Sequence, residues 1–506
     1  MKTLQSLQAF KSALAASILL FILLGCDSSD TSNEEGYIKL YNLSNDAPGI
    51  HLVVDEDFSQ TSEDEDHYEN TFSSIAYGDA NTNIPLASQD YYYQLAWQDG
   101  DSNATEDLAV LYESSLEISA EMIHMIVLNN SILSPQVTVH SFPVIDDEDD
   151  NTNDLFNLRV LNIHTNQQAI DFYLSKENES FNEAVLIGQF AHQQLSDNQK
   201  LDQDDYVFYI TLAGSDEVLF RSKSIAFAYS SQNIVIVKDN YGAGTSPYVV
   251  DKMSDSTVIE YVDADAEAQF SAYNGVSSHQ QLVDYQQNFS MHINGITSTP
   301  AIDTLAFGEV SNAVTLASGD YSIDLTNEDN SQNYLSNQLL SVAENSNNTL
   351  FFYAEETYID ADNDGDIDEN GDGVIDEIAV NLYSLIVENS PLTSSYEHEI
   401  EIVNLIQSDE FSSVTVYFVR ADETIGSAQY HREISYKNTN DVLLKNNSYQ
   451  VFVVAKENSS SIILNTFDLV LNEQSSAQFL VLEKSDAAPT GYKTTLFNQS
   501  SEQGAE

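Results

Sequence analysis

The feature that most constrains the fold of this chain is a strand pattern that recurs four times. Each copy opens with a short segment of alternating apolar and polar side chains that ends in asparagine. Alternation with a period of two is typical of half-buried β-strands, and recurrence at intervals of roughly 110 to 130 residues indicates an array of similar domains. The four segments are Leu40-Tyr41-Asn42, Val160-Leu161-Asn162, Ala272-Tyr273-Asn274 and Ile402-Val403-Asn404. A second alternating segment follows each of them, at 50–54, 169–174, 289–293 and 414–419.

A repeated tyrosine supports the same division. Residues 75–78 (Ile-Ala-Tyr-Gly) parallel residues 305–308 (Leu-Ala-Phe-Gly), and each is followed by a Leu-Ala-Ser-x-Asp-Tyr segment that ends at Tyr91 or Tyr321. Tyr206 and Tyr449 hold the equivalent place in the other two copies. This tyrosine is either a buried, hydrogen-bonded residue that fixes a strand corner of a β-sandwich or an ordinary core aromatic residue. The sequence leaves both alternatives open.

The pattern within each copy predicts the fold class. Short segments rich in Val, Ile, Tyr and Phe are separated by Asn, Asp, Ser and Gly turns, and helical patterns are nearly absent. A unit of about 100 residues with about seven such strands is what a β-sandwich requires. We therefore predict an all-β fold, a tandem array of about four immunoglobulin-like or related β-sandwich domains. The predicted boundaries are 37–145, 154–256, 265–392 and 396–498.

The net charge narrows the range of partners, and the apolar and cysteine content indicate how the domains are stabilised. The chain carries 81 acidic and 17 basic side chains, a formal net charge of −64. Binding of nucleic acid depends on Lys and Arg contacts to phosphates, so nucleic acid is excluded as a partner, whereas cation binding and solubility are favoured. The apolar content of 42% is enough for several cores. Cys26 is the only cysteine, so the domains must be stable without disulfides.

The N-terminus resembles the export signal of a bacterial lipoprotein. Lys2 and Lys11 accompany an apolar run at 13–24, which is about half the length that a membrane-spanning helix needs. The run ends in Leu23-Leu24-Gly25-Cys26, which resembles the lipobox in which small residues precede an acylated cysteine. A plain signal peptide with an incidental cysteine is the alternative reading.

The resemblance to a lipobox implies a lipid anchor, such as palmitate, on Cys26. Removal of residues 1–25 would leave the acylated cysteine at the head of a polar tether, 26–36, that is too hydrophilic to bury a core. We therefore expect a protein of the cell envelope that is held at the membrane by lipid. The outer membrane is favoured, and Asp27 keeps the periplasmic face of the inner membrane as an alternative.

The first copy resembles a bacterial family, the domain-of-unknown-function family numbered forty-three ninety-seven. The resemblance rests on residues 37–42 (Tyr-Ile-Lys-Leu-Tyr-Asn), 46–52 (Asp-Ala-Pro-Gly-Ile-His-Leu) and 75–78. It extends to the third copy, whereas the second and fourth lack the Asp-Ala-Pro turn. The resemblance implies exported, repeated β-sandwiches and an envelope location, and it implies no activity.

One acidic segment carries a pattern for metal binding. Residues 360–377 read as two overlapping D-x-[DN]-x-D-G-x-x-D loops that share Asp368, with glycines at 365 and 373. Calcium takes six to eight oxygen ligands, so alternate carboxylates can converge on it while the glycine allows a sharp turn. The predicted ligands are Asp360, Asp362, Asp364, Asp366, Asp368, Asn370, Asp372, Val374 and Asp376.

The tandem loops resemble thrombospondin type 3 repeats and, less closely, EF-hand and dockerin loops. Gly371 and Ala379 stand where an EF-hand loop has its bidentate glutamate, and the flanking segments at 350–353 and 379–385 look like strands. We therefore predict a structural calcium site in a hairpin insertion of the third copy, not an EF-hand switch. An acidic loop that binds no metal is the alternative.

The sequence is consistent with two functions, and neither of them is enzymatic. The first is a non-enzymatic envelope lipoprotein whose repeated modules serve adhesion or scaffolding. The second is capture of a glycan or peptide for uptake, with Tyr91-Tyr92-Tyr93 and Trp97 as an aromatic platform. We predict no catalytic residues, because His51, His140 and His292 lie in strand patterns and no nucleophile or phosphate-loop motif is present.

Overall fold

The described part of the chain is almost entirely β-structure. A computed structural model describes residues 34–56, 70–98, 107–146, 148–166, 168–360, 363, 365, 367–368, 371, 375, 377–457 and 460–499. The signal segment, Cys26 and most of the tether lie outside these residues. Within these ranges the helical elements are α1 (Glu148–Thr152) and a 3₁₀ turn at Phe181–Glu183, and no helix is long and apolar enough to span a membrane.

The strands fall into four consecutive groups, and we call the first two unit 1 (residues 35–143) and unit 2 (residues 148–261). Unit 1 contains β1 (Glu35–Asn42), β2 (His51–Asp55), β3 (Asn70–Thr71), β4 (Ile84–Ala87), β5 (Asp90–Gln98), β6 (Leu108–Glu117), β7 (Met122–Asn129) and β8 (Gln136–Pro143). Unit 2 contains α1 and β9 (Leu155–Asn162), β10 (Ile170–Lys176), β11 (Val185–Phe190), β12 (Gln199–Asp202), β13 (Asp205–Leu212), β14 (Val218–Arg221), β15 (Ile225–Ala226), β16 (Gln232–Asp239), β17 (Tyr248–Met253) and β18 (Val258–Tyr261).

The remaining strands form unit 3 (residues 267–388) and unit 4 (residues 397–498). Unit 3 contains β19 (Glu267–Asn274), β20 (Asn288–Ile293), β21 (Ile302–Ala306), β22 (Val314–Ala317), β23 (Gly319–Thr326), β24 (Asn333–Val342), β25 (Asn347–Tyr358) and β26 (Ile378–Glu388). Unit 4 contains β27 (Glu397–Asn404), β28 (Ser413–Val419), β29 (Tyr430–Ser435), β30 (Thr439–Lys445), β31 (Asn447–Glu457), β32 (Ser460–Leu471), β33 (Gln478–Lys484) and β34 (Tyr492–Asn498).

Each unit is a sandwich of two sheets, and the four units share one topology. The sheets of unit 1 are β4-β1-β7-β8 and β3-β2-β5-β6. Units 3 and 4 repeat this order as β22-β19-β25-β26 with β21-β20-β23-β24 and β30-β27-β33-β34 with β29-β28-β31-β32. Unit 2 has β12-β9-β16-β17-β18 and β11-β10-β13-β14, with β15 on β13. The predicted tandem array of all-β sandwiches is confirmed, and β18 continues unit 2 beyond the expected end at residue 256.

The first strand of every unit has the same setting. It runs parallel to a later strand of its own sheet, in the pairs β1–β7, β9–β16, β19–β25 and β27–β33. Its alternate side chains enter the core of its own unit, for example Leu40 in unit 1, Phe156 in unit 2, Phe270 in unit 3 and Ile402 in unit 4. Full burial of such a side chain contributes about 1.5–3 kcal/mol to folding. Each unit therefore has a hydrophobic core of its own.

The repeated asparagine fixes the end of this first strand. Asn404 is 1% exposed, its side-chain amide donates to the carbonyl oxygen of Ile434 at 3.0 Å, and its side-chain oxygen accepts from the backbone N–H of Ile406 at 3.0 Å. Asn42, Asn162 and Asn274 are fully buried and make the same two kinds of bond, to a facing carbonyl and to the N–H two residues on. Both ends of the amide are satisfied, which explains why the same residue recurs.

The repeated tyrosine fixes a strand corner in three units. The hydroxyls of Tyr206, Tyr321 and Tyr449 donate to the carbonyl oxygen four residues earlier, at 2.7, 2.7 and 2.8 Å. Tyr206 and Tyr449 are 6% and 2% exposed. The structure thus favours the hydrogen-bonded corner over a simple core aromatic for these residues. Tyr91 holds the corresponding place in unit 1 and is 2% exposed.

Candidate functional site

The predicted calcium segment is the loop of a long hairpin in unit 3. β25 and β26 pair from Asn348 with Glu388 to Tyr358 with Ile378, so the two flanking segments are strands, as predicted. Asp360, Asn363, Gly365, Ile367, Asp368, Gly371, Ile375 and Glu377 are described. The other predicted ligands, Asp362, Asp364, Asp366, Asn370, Asp372, Val374 and Asp376, lie outside the described residues.

Two described glycines of the loop have left-handed backbone conformations, and the first of them, Gly365, is one of the two glycines of the pattern. Gly365 has a φ of +90°, and its backbone N–H donates to the Asp360 carboxylate at 3.0 Å. Gly371 has a φ of +70°, and its N–H donates to the Asp368 carboxylate at 3.0 Å. Glycine adopts such φ values without steric cost because it has no Cβ. Ile367 is half-buried, as expected for an apolar residue that places the loop against protein.

The base of the loop is fixed to unit 4. The backbone N–H of Glu356 donates to the side-chain oxygen of Gln407 at 2.8 Å, and the Gln407 amide donates back to the Glu356 carbonyl at 2.7 Å. The Tyr358 hydroxyl donates to the Asp409 carboxylate. The loop therefore projects from a hairpin whose base is braced by a second unit.

The histidines of the strands have structural partners. The His51 ring bonds to the Phe72 carbonyl at 3.1 Å, and His292 lies 1% exposed between Thr326 and Asn330. The His140 ring lies 3.4 Å from the Thr138 hydroxyl, and burial lowers its pKa. Among the described residues, no three His, Cys, Asp or Glu side chains are grouped so that they could hold a metal.

The aromatic residues of the alternative function do not form a surface platform. Tyr91 and Tyr93 are 2% exposed and Trp97 is 7% exposed, whereas Tyr92 between them is 45% exposed. Because side chains alternate along β5, only Tyr92 of the triplet faces solvent. Trp97 instead packs on Tyr396, which precedes unit 4, with ring centroids 4.3 Å apart. The predicted glycan platform is therefore absent from these four residues.

The outward face of the first sheet in each unit is also buried, against another unit. Tyr41, Met125 and Val127 of unit 1 pack with Leu161 and Ile236 of unit 2 in a continuous apolar cluster. Tyr273 and Phe351 of unit 3 pack with Val403, Phe479 and Val481 of unit 4 in a second cluster. We call these the 1–2 interface and the 3–4 interface. The central strands of each sheet involved are thus buried on both faces.

A buried polar cluster lies within the 1–2 interface. The Tyr41 hydroxyl donates to the Asp251 carboxylate, which pairs with the Lys238 ammonium at 2.8 Å. The Lys238 ammonium also lies 5.3 Å from the centre of the Tyr77 ring and 2.8 Å from Glu260. Burial lowers the pKa of Lys238, but the two carboxylates outweigh burial and raise it overall. The cluster therefore places a charged lysine inside the largely apolar 1–2 interface.

The 3–4 interface contains the same set of groups. The Tyr273 hydroxyl donates to the Glu483 carboxylate at 2.9 Å, and Lys493 pairs with Glu483 at 3.3 Å. The Lys493 ammonium lies 5.0 Å from the centre of the Phe307 ring. Burial raises the pKa of Glu483, and the Thr495 hydroxyl and Lys493 offset part of that effect. Both interfaces thus combine a tyrosine hydroxyl, a buried carboxylate, a lysine and an aromatic ring.

The two clusters place their charges on different strands. By the strand register, Glu483 stands where unit 2 has Lys238. Each follows the strand residue that pairs with the repeated asparagine, which is Leu482 in unit 4 and Val237 in unit 2. The carboxylate of unit 2 comes from the next strand, β17, and the lysine of unit 4 comes from the next strand, β34. Acid and base have therefore exchanged strands while the same contacts are kept.

Further contacts connect the two pairs of units. Asn240 of unit 2 and Asn345 of unit 3 exchange side-chain hydrogen bonds of 3.1 and 2.9 Å. A side chain on Gly242 would clash, because a Cβ there would come within 2.2 Å of Asn345. The segment before unit 4 donates from the N–H of Ser395 to the Asp46 carbonyl of unit 1 at 3.2 Å. Units 1 and 4 are thereby brought together, and the arrangement is closed.

Comparison with known proteins leaves the family open. No family model matches the chain, and no curated protein matches it. Among solved structures, the chain is similar to the Bacillus anthracis TIE protein at 9% identity and a TM-score of 0.14, covering 91% of this chain and 76% of that one. It is also similar to the major pilin subunit of Bacillus cereus at 8% identity and a TM-score of 0.14, covering 65% and 99%. TM-scores of this size assign neither a family nor a function.

Proposed function

We propose that the chain is a lipid-anchored, non-enzymatic protein of the bacterial envelope that acts as an adhesion or scaffolding body and carries a structural calcium site. The observation that carries the proposal is the closed packing of four sandwiches, through two buried apolar interfaces and the polar contacts that join the two pairs. Such a body holds its surfaces at fixed positions, which suits presentation or spacing. Capture of a glycan through the β5 aromatics receives no support, because three of the four are buried.

The proposed lipid anchor and the proposed calcium site are both consistent with a location in the cell envelope. Cys26 precedes the first strand by a polar tether, so an acyl group there would place unit 1 near the membrane surface. Calcium at 360–377 would neutralise several acidic side chains at the tip of the long hairpin, in a chain that has 81 acidic side chains in all. Loops of this kind in extracellular proteins bind calcium at about 10⁻⁴–10⁻³ M.

Small-angle scattering of residues 27–506 tests the closed body. A compact chain of this length has a radius of gyration of about 23 Å, and four sandwiches in line would give roughly twice that value. We expect a value near the first, and a value near the second would overturn the scaffold proposal in favour of an extended string.

Calcium titration of the same chain tests the metal site separately. We expect saturable calorimetric binding and a raised melting temperature in the parent protein, and loss of both in Asp364→Ala/Asp372→Ala. The matched control is Asp216→Ala/Glu217→Ala, which removes two charges from another exposed loop and keeps the calcium response. If the parent protein binds no calcium at millimolar concentration, the calcium part of the proposal fails and the scaffold part stands on the scattering result.

A further inference from the structure

A cavity opens at one end of the 1–2 interface. Its volume is about 360 Å³, which lies within the range of small-molecule sites, about 300–1,000 Å³. Its apolar walls include Ile123 and Phe142 of unit 1 and Ile234 and Met253 of unit 2, each no more than 6% exposed. An apolar body could therefore enter a space that both units already shield from water.

A single buried lysine faces this apolar surface. Lys39 lies on the outward face of β1 and is 3% exposed. Its ammonium donates to the carbonyl oxygens of Ser254 at 2.9 Å and Asp255 at 2.7 Å. An ammonium carries three N–H groups, and the third has no protein acceptor in the described part of the chain. Burial lowers the pKa of Lys39 to about 8, and Asp255 offsets part of that shift.

Two other polar side chains of the cavity, Asp255 and Gln232, already have hydrogen-bond partners. The Asp255 carboxylate accepts from the Asn83 N–H at 3.2 Å. The Gln232 side chain accepts from the Ile145 N–H at 3.2 Å and donates to the Pro143 carbonyl at 2.9 Å. Lys39 is the cation among the residues that line the cavity, so it is the strongest donor to an incoming anionic acceptor. Because Asp255 is close, a single negative charge is tolerated better than two.

Pairing of two units does not require a lysine at this position. The register of β19 with β25 places Ser271 and Asn347 of unit 3 where unit 1 has Lys39 and Ile123. At that corner of unit 3, the Asn389 amide donates to the Asn347 side-chain oxygen at 3.0 Å, and the Thr349 hydroxyl donates to Asn389 at 2.8 Å. The corner that holds a lysine in unit 1 thus holds a cluster of hydrogen-bonded, uncharged polar side chains in unit 3.

We propose that the cavity between units 1 and 2 binds a small monocarboxylate with an apolar body, whose carboxylate accepts a hydrogen bond from Lys39. The apolar body lies against Ile123, Phe142, Ile234 and Met253. This ligand site goes beyond the scaffold function and does not depend on the calcium loop.

Calorimetry of residues 27–506 with octanoate, octanol and octylamine tests the site, because the three probes share a chain and differ in the head group. We expect octanoate to bind and the other two to bind at least tenfold more weakly. Lys39→Met should abolish the preference for octanoate. Val144→Trp, which places a large ring at the half-buried edge of the cavity, should abolish binding while Lys39 remains.

Two comparisons keep the result interpretable. Ile259→Trp adds the same ring on an exposed part of β18 that does not line the cavity, and it should bind octanoate as the parent does. Circular dichroism and the melting temperature report whether Lys39→Met still folds, and Val144→Trp provides an independent test if it does not. Equal binding of the three probes, or octanoate binding that survives Val144→Trp, would overturn the proposal.

Discussion

Removal of Lys238 should destabilise the 1–2 interface far more than removal of a surface lysine. The side chains of Lys238 and Asp251 are 5% and 1% exposed. Lys238→Met therefore leaves a carboxylate buried without its cation, which costs about 3–5 kcal/mol. Lys176→Met is the matched control in the same unit, because Lys176 and its partner Asp204 are 51% and 42% exposed. Exposed pairs of this kind contribute little to stability, so we expect no measurable change there.

The lost stability should be recovered by also removing the carboxylate that Lys238→Met leaves without its cation and the hydroxyl that donates to that carboxylate. In Lys238→Met/Asp251→Leu/Tyr41→Phe no charge and no unpaired hydroxyl stays buried, so we expect stability within about 2 kcal/mol of the parent. Trp97 is the only tryptophan and lies in unit 1, so its fluorescence in a urea titration reports this part of the molecule. If Lys238→Met unfolds at the same urea concentration as Lys176→Met, or if the triple variant is less stable than the single one, the cluster does not stabilise the interface.

Three further predictions concern unit 4 and are measured as shifts in its unfolding. Tyr449→Phe loses the hydroxyl bond to the Lys445 carbonyl and should cost about 1 kcal/mol in urea unfolding. Asn404→Ala leaves two buried backbone groups without partners and should cost about 3 kcal/mol, so a smaller loss than that of Tyr449→Phe would contradict the role of the repeated asparagine. Arg420 lowers the pKa of Glu423 from its usual 4.5 to about 2, so the pair stabilises the fold above pH 4.5 and that contribution is lost as pH falls towards 2. The stability curves of the parent and Glu423→Gln should therefore converge in that window, and curves that stay parallel would show that the pair contributes nothing.

The repeat could be predicted because its signals are local. An asparagine that bonds to a facing strand and to the N–H two residues later leaves the same mark in every unit, and so does a tyrosine that bonds four residues back. Alternation predicted the second strand of each unit, which the structure contains as β2, β10, β20 and β28. Flanking β-branched and aromatic residues likewise predicted the hairpin around the acidic loop.

The packing of units against one another was missed, although part of its signal is in the sequence. A strand that faces solvent on one side alternates between apolar and polar residues, whereas a strand buried on both sides is apolar almost throughout. Residues 122–129 (Met-Ile-His-Met-Ile-Val-Leu-Asn) and 234–237 (Ile-Val-Ile-Val) have the second pattern. The partner of each face could not be inferred, because the contacts join residues such as Tyr41 and Asp251 that are 210 positions apart.

The few basic residues explain how so acidic a chain can close on itself. The chain has a net charge of −64, and repulsion between like charges opposes a compact state. More than half of the lysines in the described part contact a neighbouring unit. Six lysines and one arginine contact a neighbouring unit: Lys39, Lys223, Lys238, Lys437, Lys484, Lys493 and Arg159. Positive charge is thus placed at the contacts between units, where it offsets the repulsion between them. The outer surface keeps the negative charge that favours solubility and cation binding.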